Sequence, residues 1–414
     1  MAQLLALAMT AVVAAGALGC SGPALRKPAL RLYPPLPNKP RMQFLASFST
    51  AVDVEQNSTV EDFLVGKDPS VAALRKPTCA VIVQDRVLVG DIGAHALVVF
   101  DLKTSQFRPM RGDSGEGKVK QPVQMTVADD GTLYVADAGR GQVLAYDQNE
   151  NFLQAYGTEG QVKPVGVAVH RDSIYVCDRD RHQVVVFDRR TSLVMKRIGA
   201  EGTEPGKLYI PTAVAVGPDG DLYVAETGNF RVQRLRQDGT SVRVYGGLGD
   251  TPGTFTRPRG VAVDPAGRLF VVDAAFENVQ VFDPEGRLLM FFGGPGNVPG
   301  ELVLPAGIDI SRTSLDHFGR IADPRLKLEY LVSVVSQYGP NRVSIFGFGD
   351  WQGPYQAPPA PAPAKAAPTA PPVDKAPPAA DKPAPPPAEK PAPPPADKAA
   401  PPPSKGPSAK ERKG

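Results

Sequence analysis

Cysteine and histidine are scarce in this chain of 414 residues, which holds three of the first and four of the second. So few thiols exclude a disulfide-stapled scaffold and a cysteine-rich metal domain. No C-x-x-C-H run occurs, which excludes covalently attached haem. Long apolar runs are missing after the first twenty residues, so a multi-pass membrane protein is excluded as well. Concentrated positive charge is absent from the body of the chain. The totals of 46 basic and 43 acidic residues give a net +3, but the excess lies in the flanks. Residues 352–414 hold nine basic and five acidic residues, and residues 21–41 hold five basic and none acidic. Residues 42–351 are left with 32 basic against 38 acidic, about −6. Nucleic-acid binding needs a concentrated basic face, so no nucleic-acid partner is expected. There is no Ser/His/Asp motif and no phosphate-cradling glycine loop, because the glycines fall in turns.

Proline is abundant in one place only. Of 45 prolines, 22 fall between Gln352 and Gly414, where ADKPAPPP, AEKPAPPP and ADKAAPPP follow one another from Ala380. Such a segment cannot bury enough apolar surface to fold, so residues 351–414 are expected to be a disordered, extended tail. At the other end, Leu4 to Gly19 carries no charge and runs into Ala17-Leu18-Gly19-Cys20. This stretch resembles a bacterial lipoprotein signal. The resemblance implies export, cleavage before Cys20, lipidation of Cys20 and a membrane anchor through that lipid. Ser21 resembles the residue that lets such proteins proceed to the outer membrane. The expected location is the bacterial cell envelope, facing the periplasm or the cell surface. Residues 1–20 are thus read as signal and residues 21–41 as a basic, proline-containing linker.

The middle is one unit repeated six times. Pro77, Pro122, Pro164, Pro211, Pro258 and Pro305 open similar segments 42 to 47 residues apart. The clearest copy, PRGVAVDPAGRLFVVDAAFENVQVFDPEGRLLMFFGG, contains four β-patterned runs with Asp-Pro-Ala-Gly and Asp-Pro-Glu-Gly turns between pairs. The acid closing the second run and the position closing the third stand ten apart in Asp91/Asp101, Asp137/Asp147, Asp178/Asp188, Glu226/Arg236 and Asp273/Asp283. Four-stranded units at this period predict an all-β, six-bladed β-propeller over residues 42–350. The copy PTAVAVGPDGDLYVAETGNFRVQRL resembles the NHL repeat throughout, and the likeness extends over the whole repeated region. The sixth copy lacks a fourth strand and contains an insertion from Ser311 to Lys327. MQFLASFS, Met42 to Ser49, is the expected donor. Paired beside RVSIFGF, it would close the ring and protect an open sheet edge.

In such blades the loops between strands two and three share a face with the connections into the next blade. That face should carry His95, Arg140, Arg181, His182, Asn229, Arg231, Arg259, Asn341 and Arg342, the candidates for partner contact. The same residues are of types that hydrogen-bond loop backbone between neighbouring blades. The reading is therefore a binding or scaffolding module whose partner is an envelope protein or glycan, with no cofactor, no catalytic residue and no metal expected. The alternative implied by the resemblance is a metal-dependent hydrolase or lyase, lactonase-like or amidating-lyase-like, with its site at the central channel. His95 and His182 share a loop position but belong to repeats one and three, without an evident carboxylate partner, which makes a poor metal site. Cys79 and Cys177 fall at strand positions held elsewhere by small or apolar residues and are expected to be buried free thiols.

Overall fold

Each repeat alternates apolar and polar residues over runs too short for helices, and each folds as an antiparallel sheet. The computed structural model describes residues 28–55, 73–158 and 160–356. The signal segment, Cys20 and the tail from residue 357 onward lie outside the described residues, and Trp351, assigned to the tail, instead ends the strand Val343–Trp351 and is buried. The chain divides into two units, Met1–Pro358 and Pro359–Gly414. Among the described residues no helix is long and apolar enough to cross a membrane.

The first unit contains six sheets, five of four strands and one of five. Blade 3 shows the plan: Pro164–His170 is innermost, followed outward by Ser173–Asp178, Gln183–Asp188 and Val194–Ile198. The inner strands of the other blades are Pro77–Val83, Pro122–Val127, Pro211–Val216, Pro258–Val263 and Pro305–Ser311. Blades 1 to 5 are built within single repeats. Blade 6 joins both halves of the chain, as expected. Met42–Phe48 pairs antiparallel with Val343–Trp351, from Met42 opposite Phe348 to Phe48 opposite Val343.

The blade extends further toward the N-terminus than the sequence suggested. Leu32–Tyr33 adds a short fifth strand outside Met42–Phe48, so the segment assigned to a linker supplies the sheet's outer edge. Two residues are too few for a period-two signal. They are held by tertiary contacts: Tyr33 packs on Phe292 and Phe346 and donates its hydroxyl to the Gly300 carbonyl, and Arg31 pairs with Glu301. The insertion of the sixth repeat forms one short helix, Leu315–Gly319, whose Phe318 is fully buried.

The core is not a single mass. Among the described residues it consists of six apolar clusters, one at each interface between neighbouring blades, and a small seventh of Leu32, Leu326 and Trp351 in blade 6. The cluster between blades 6 and 1 contains Leu45 and Phe48 of the N-terminal strand beside Val87, Val89 and Phe100. Cys79 and Cys177 are buried and free. Burial raises both thiol pKa values, that of Cys79 to about 12.

Candidate functional site at the channel mouth

A buried polar residue organises each blade at the loop face. Asp91 accepts from the backbone amides of Arg75 and Lys76, just before Pro77, and from those of Gly93 and Ala94, just after its own strand. Asp137 does the same with Lys120, Gln121, Gly139 and Arg140. Asp178, Glu226 and Asp273 repeat the contact with the pre-proline segment, and Ser336 takes the place in blade 6. These acids stay buried because backbone donors satisfy them.

A second bond recurs in all six blades. The amide after the acid donates to the carbonyl of the residue before the proline: Ile92 to Lys76, Ala138 to Gln121, Arg179 to Lys163, Thr227 to Ile210, Ala274 to Arg257 and Gln337 to Leu304. Each inner strand also carries a register shift directly after its proline. Such bulges re-aim side chains. Here the post-proline residues Thr78, Val123, Val165, Thr212, Arg259 and Ala306 line the axis. Blades 2 to 5 add the residue before the proline, Gln121, Lys163, Ile210 and Arg257, and blades 2 to 4 the residue after the acid, Ala138, Arg179 and Thr227.

Together they enclose a cavity of about 350 Å³ at the channel mouth, lined from all six blades. Deeper in, the inner strands crowd together. A Cβ on Gly307 would lie 2.4 Å from the Thr78 carbonyl oxygen, and one on Gly260 would lie 2.7 Å from that of Ala306. The corresponding residue of blade 2 is Gln124. Its amide reaches across to blades 3 and 4, accepting from the Val167 amide at 3.2 Å and donating to the Val214 carbonyl at 3.0 Å.

The cavity has a definite charge. Lys163, Arg179, Arg257 and Arg259 line it, and no carboxylate does. Lys163 donates to the Ala138 carbonyl at 2.8 Å. Arg179 and Arg257 are exposed at the rim, while Arg259 is half-buried. Burial, and then the charges of Arg257 and Arg179, lower the Arg259 pKa. All three arginines line the same cavity. Ala138, Val165, Ile210 and Ile308 supply an apolar wall.

The nine residues singled out from sequence separate into two groups. Eight brace the loops. His95 Nδ1 lies 2.7 Å from the Lys120 carbonyl oxygen, and His182 Nδ1 accepts from the Ile210 amide while its ring stacks on Tyr209. Arg140 donates to the Glu116 and Lys118 carbonyls, and Arg181 to Asp178 and the Gly160 carbonyl. Asn229 donates to Glu226 and the Gly202 carbonyl; Arg231 pairs with Glu226 and ties down Thr203, Glu204 and Lys207. Asn341 holds the Asn297 and Val298 carbonyls, and Arg342 holds that of Gln337. Arg259 alone faces the cavity. Arg179, Arg257, Lys163 and Gln124 were not singled out, although their places beside the repeated prolines and acids are visible in an alignment of the six copies.

Among the described residues, no three His, Cys, Asp or Glu side chains form a group able to hold a metal ion. Solved structures with the same fold include a protein of unknown function from Bacteroides thetaiotaomicron, 15% identical over 74% of this chain and 75% of that one, TM-score 0.53. A gluconolactonase from Xanthomonas campestris is 14% identical over 74% and 89%, TM-score 0.49, and virginiamycin B lyase from Staphylococcus aureus is 12% identical over 66% and 80%, TM-score 0.45. Identities this low speak to architecture alone. The NHL repeat family model matches residues 162–187 and 208–235, the first three strands of blades 3 and 4. Blades 3 and 4 thus carry NHL repeats, and the described residues fold as a six-bladed propeller.

Proposed function

We propose that this protein is a binding module of the bacterial cell envelope, exported, anchored through lipidated Cys20, and engaging an envelope protein or glycan with its loop face. The observation that carries this reading is the bracing of that face. Eight candidate contact residues hold loop backbone around one open cavity, and a rim fixed before binding lowers the ordering cost of association. The alternative, a metal-dependent hydrolase or lyase, draws no support from the channel lining. Three guanidiniums and an ammonium there repel a divalent cation.

Membrane fractionation followed by affinity capture from envelope extract tests the proposal. The full chain should sediment with membranes and enrich a defined envelope component. Cys20→Ala should leave the membrane fraction, and reversing the rim charges with Arg179→Glu and Arg257→Glu should abolish the enrichment. Equal capture by the rim variant would overturn the loop-face assignment, and unchanged sedimentation of Cys20→Ala would overturn the anchor.

A further inference from the structure

Among the described residues no carboxylate pairs with Arg179, Arg257 or Arg259 at the channel mouth, while Lys163 donates to a backbone carbonyl. Glu226 neutralises Arg231 nearby, Glu150 neutralises Arg86 and Arg108, and Asp264 neutralises Arg268, so this sequence routinely pairs its half-buried guanidiniums. Arg259 is the departure: half-buried, with no side-chain hydrogen bond or ion pair among the described residues. It stands at a bulge, where the backbone aims it into the cavity together with Arg179 and Arg257. Holding like charges together in a partly desolvated space is unfavourable unless an anion joins them.

We infer that the cavity seats a phosphate group of a small ligand, held by Arg259, Arg179 and Arg257, with Lys163 alongside and the ligand's body against the apolar wall. A phosphate fits this set better than a carboxylate. It brings close to two negative charges and three terminal acceptor oxygens, one for each guanidinium fork. Lys163 keeps free donors after its bond to Ala138, since an ammonium carries three. Gln124, spanning from blade 2 to blades 3 and 4, lines the same cavity and adds a neutral polar group to it. The cavity, about 350 Å³, suits a group the size of a phosphorylated sugar unit rather than a polymer segment threaded along the axis. The phosphate could be free or carried on a glycan.

This inference rests on the loop face being a binding face, but not on the identity or capture of an envelope partner. Its test therefore uses purified full-length protein and defined anions. Thermal unfolding is measured in inorganic phosphate, glucose 6-phosphate, malonate and chloride at matched ionic strength, and affinities are measured by calorimetry. Wild type should gain several degrees in Tm with phosphate over chloride. Arg259→Met should unfold no lower than wild type in chloride, because it removes an unpaired charge, and it should lose the phosphate response. Its affinity should fall about tenfold or more, the loss of one charge-assisted hydrogen bond. Tighter binding of glucose 6-phosphate than of inorganic phosphate assigns a sugar-borne group; equal binding assigns the free anion. A malonate response as strong as that to phosphate overturns the phosphate assignment. So does a phosphate response that survives Arg259→Met, or no response above chloride. Should Arg259→Met fail to fold, the exposed pair Arg179→Gln and Arg257→Gln must remove the response in its place.

Discussion

Single positions in this propeller are governed by how close the inner strands approach. Gly307 has an ordinary extended backbone, so its lack of a side chain reflects space alone: any Cβ would strike the Thr78 carbonyl of blade 1. Two residues along, Asp309 stands opposite Ser333 on the same inner strand. Burial pushes its carboxyl up to about 7, against the pull of the Ile310 amide. An unfolded aspartate releases its proton near 3.8. The folded chain holds that proton longer, so the contribution of Asp309 to stability is complete below about 3.8 and is lost as pH rises through about 7. Asp309→Asn should remove this decline, raising stability at pH 8 relative to wild type by at most about 4 kcal/mol while changing little in acid. Denaturant titrations at several pH values decide it, and parallel profiles for the two proteins would rule it out.

At the scale of elements, one blade is fastened to the next by contacts between hairpins. Glu150 lies in the turn joining the outer strands of blade 2, at a φ of 71°. It reaches blade 1, accepting from Arg86 at 2.8 Å, twice from Arg108 at 2.7 Å, and from the Arg111 amide. Burial alone would raise its pKa, but Arg108, the Arg111 amide and Arg86 bring it down to about 2. Its stabilising contribution is therefore present above about 4.5 and lost as pH falls through about 2. Glu150→Gln removes the carboxylate that Arg86 and Arg108 share, leaving Arg108 only the more distant Asp101 at 3.9 Å, and should cost up to about 3–5 kcal/mol near neutrality. It should also flatten the acid limb of the stability curve, which equilibrium unfolding between pH 7 and pH 2 would reveal. Elements of this kind were only half legible in advance. Strand order and pairing follow from local alternation and turn residues, which is why the repeated ten-residue interval placed strands two and three correctly. The loops were harder. The connections out of blades 3, 4 and 5 share a Pro-Gly pair, and each forms the same parallel bridge and buries one large residue completely: Leu208, Phe255 and Leu302. Their shared form depends on a plug set several residues beyond the bend, a relation that strand periodicity does not encode.

The first unit closes as a ring of six blades, and a ring adds one requirement that no blade carries alone. Six interfaces must all be made, the last by residues some 300 positions apart in the chain. That closure was readable because the sixth repeat visibly lacked a strand and an unassigned β-pattern preceded the first. The charge of the cavity was not readable, because its four cations come from two separate blades, 3 and 5, and Arg259 is turned inward by a bulge whose direction no periodicity reveals. Closure also gives the sharpest test of the architecture. Met42, Phe44, Leu45 and Phe48 are all at most 1% exposed. Deleting the chain through Ser49 would uncover the edge of Val343–Trp351 and remove those four side chains from the clusters on both faces of blade 6. Each is worth roughly 1.5–3 kcal/mol, so their sum matches the whole margin of a typical domain, about 5–15 kcal/mol. The truncated protein should aggregate or unfold far below wild type. Removal of residues 1–39 should have a smaller effect, because it takes away Leu32–Tyr33 and the Tyr33 contacts with Phe292 and Phe346 but leaves Met42–Phe48 in place. Calorimetry on the two truncations separates the cases: equal loss in both would place the closing energy in the outer edge, and a stable monomer beginning after Ser49 would remove the N-terminal strand from the account of how the ring holds together.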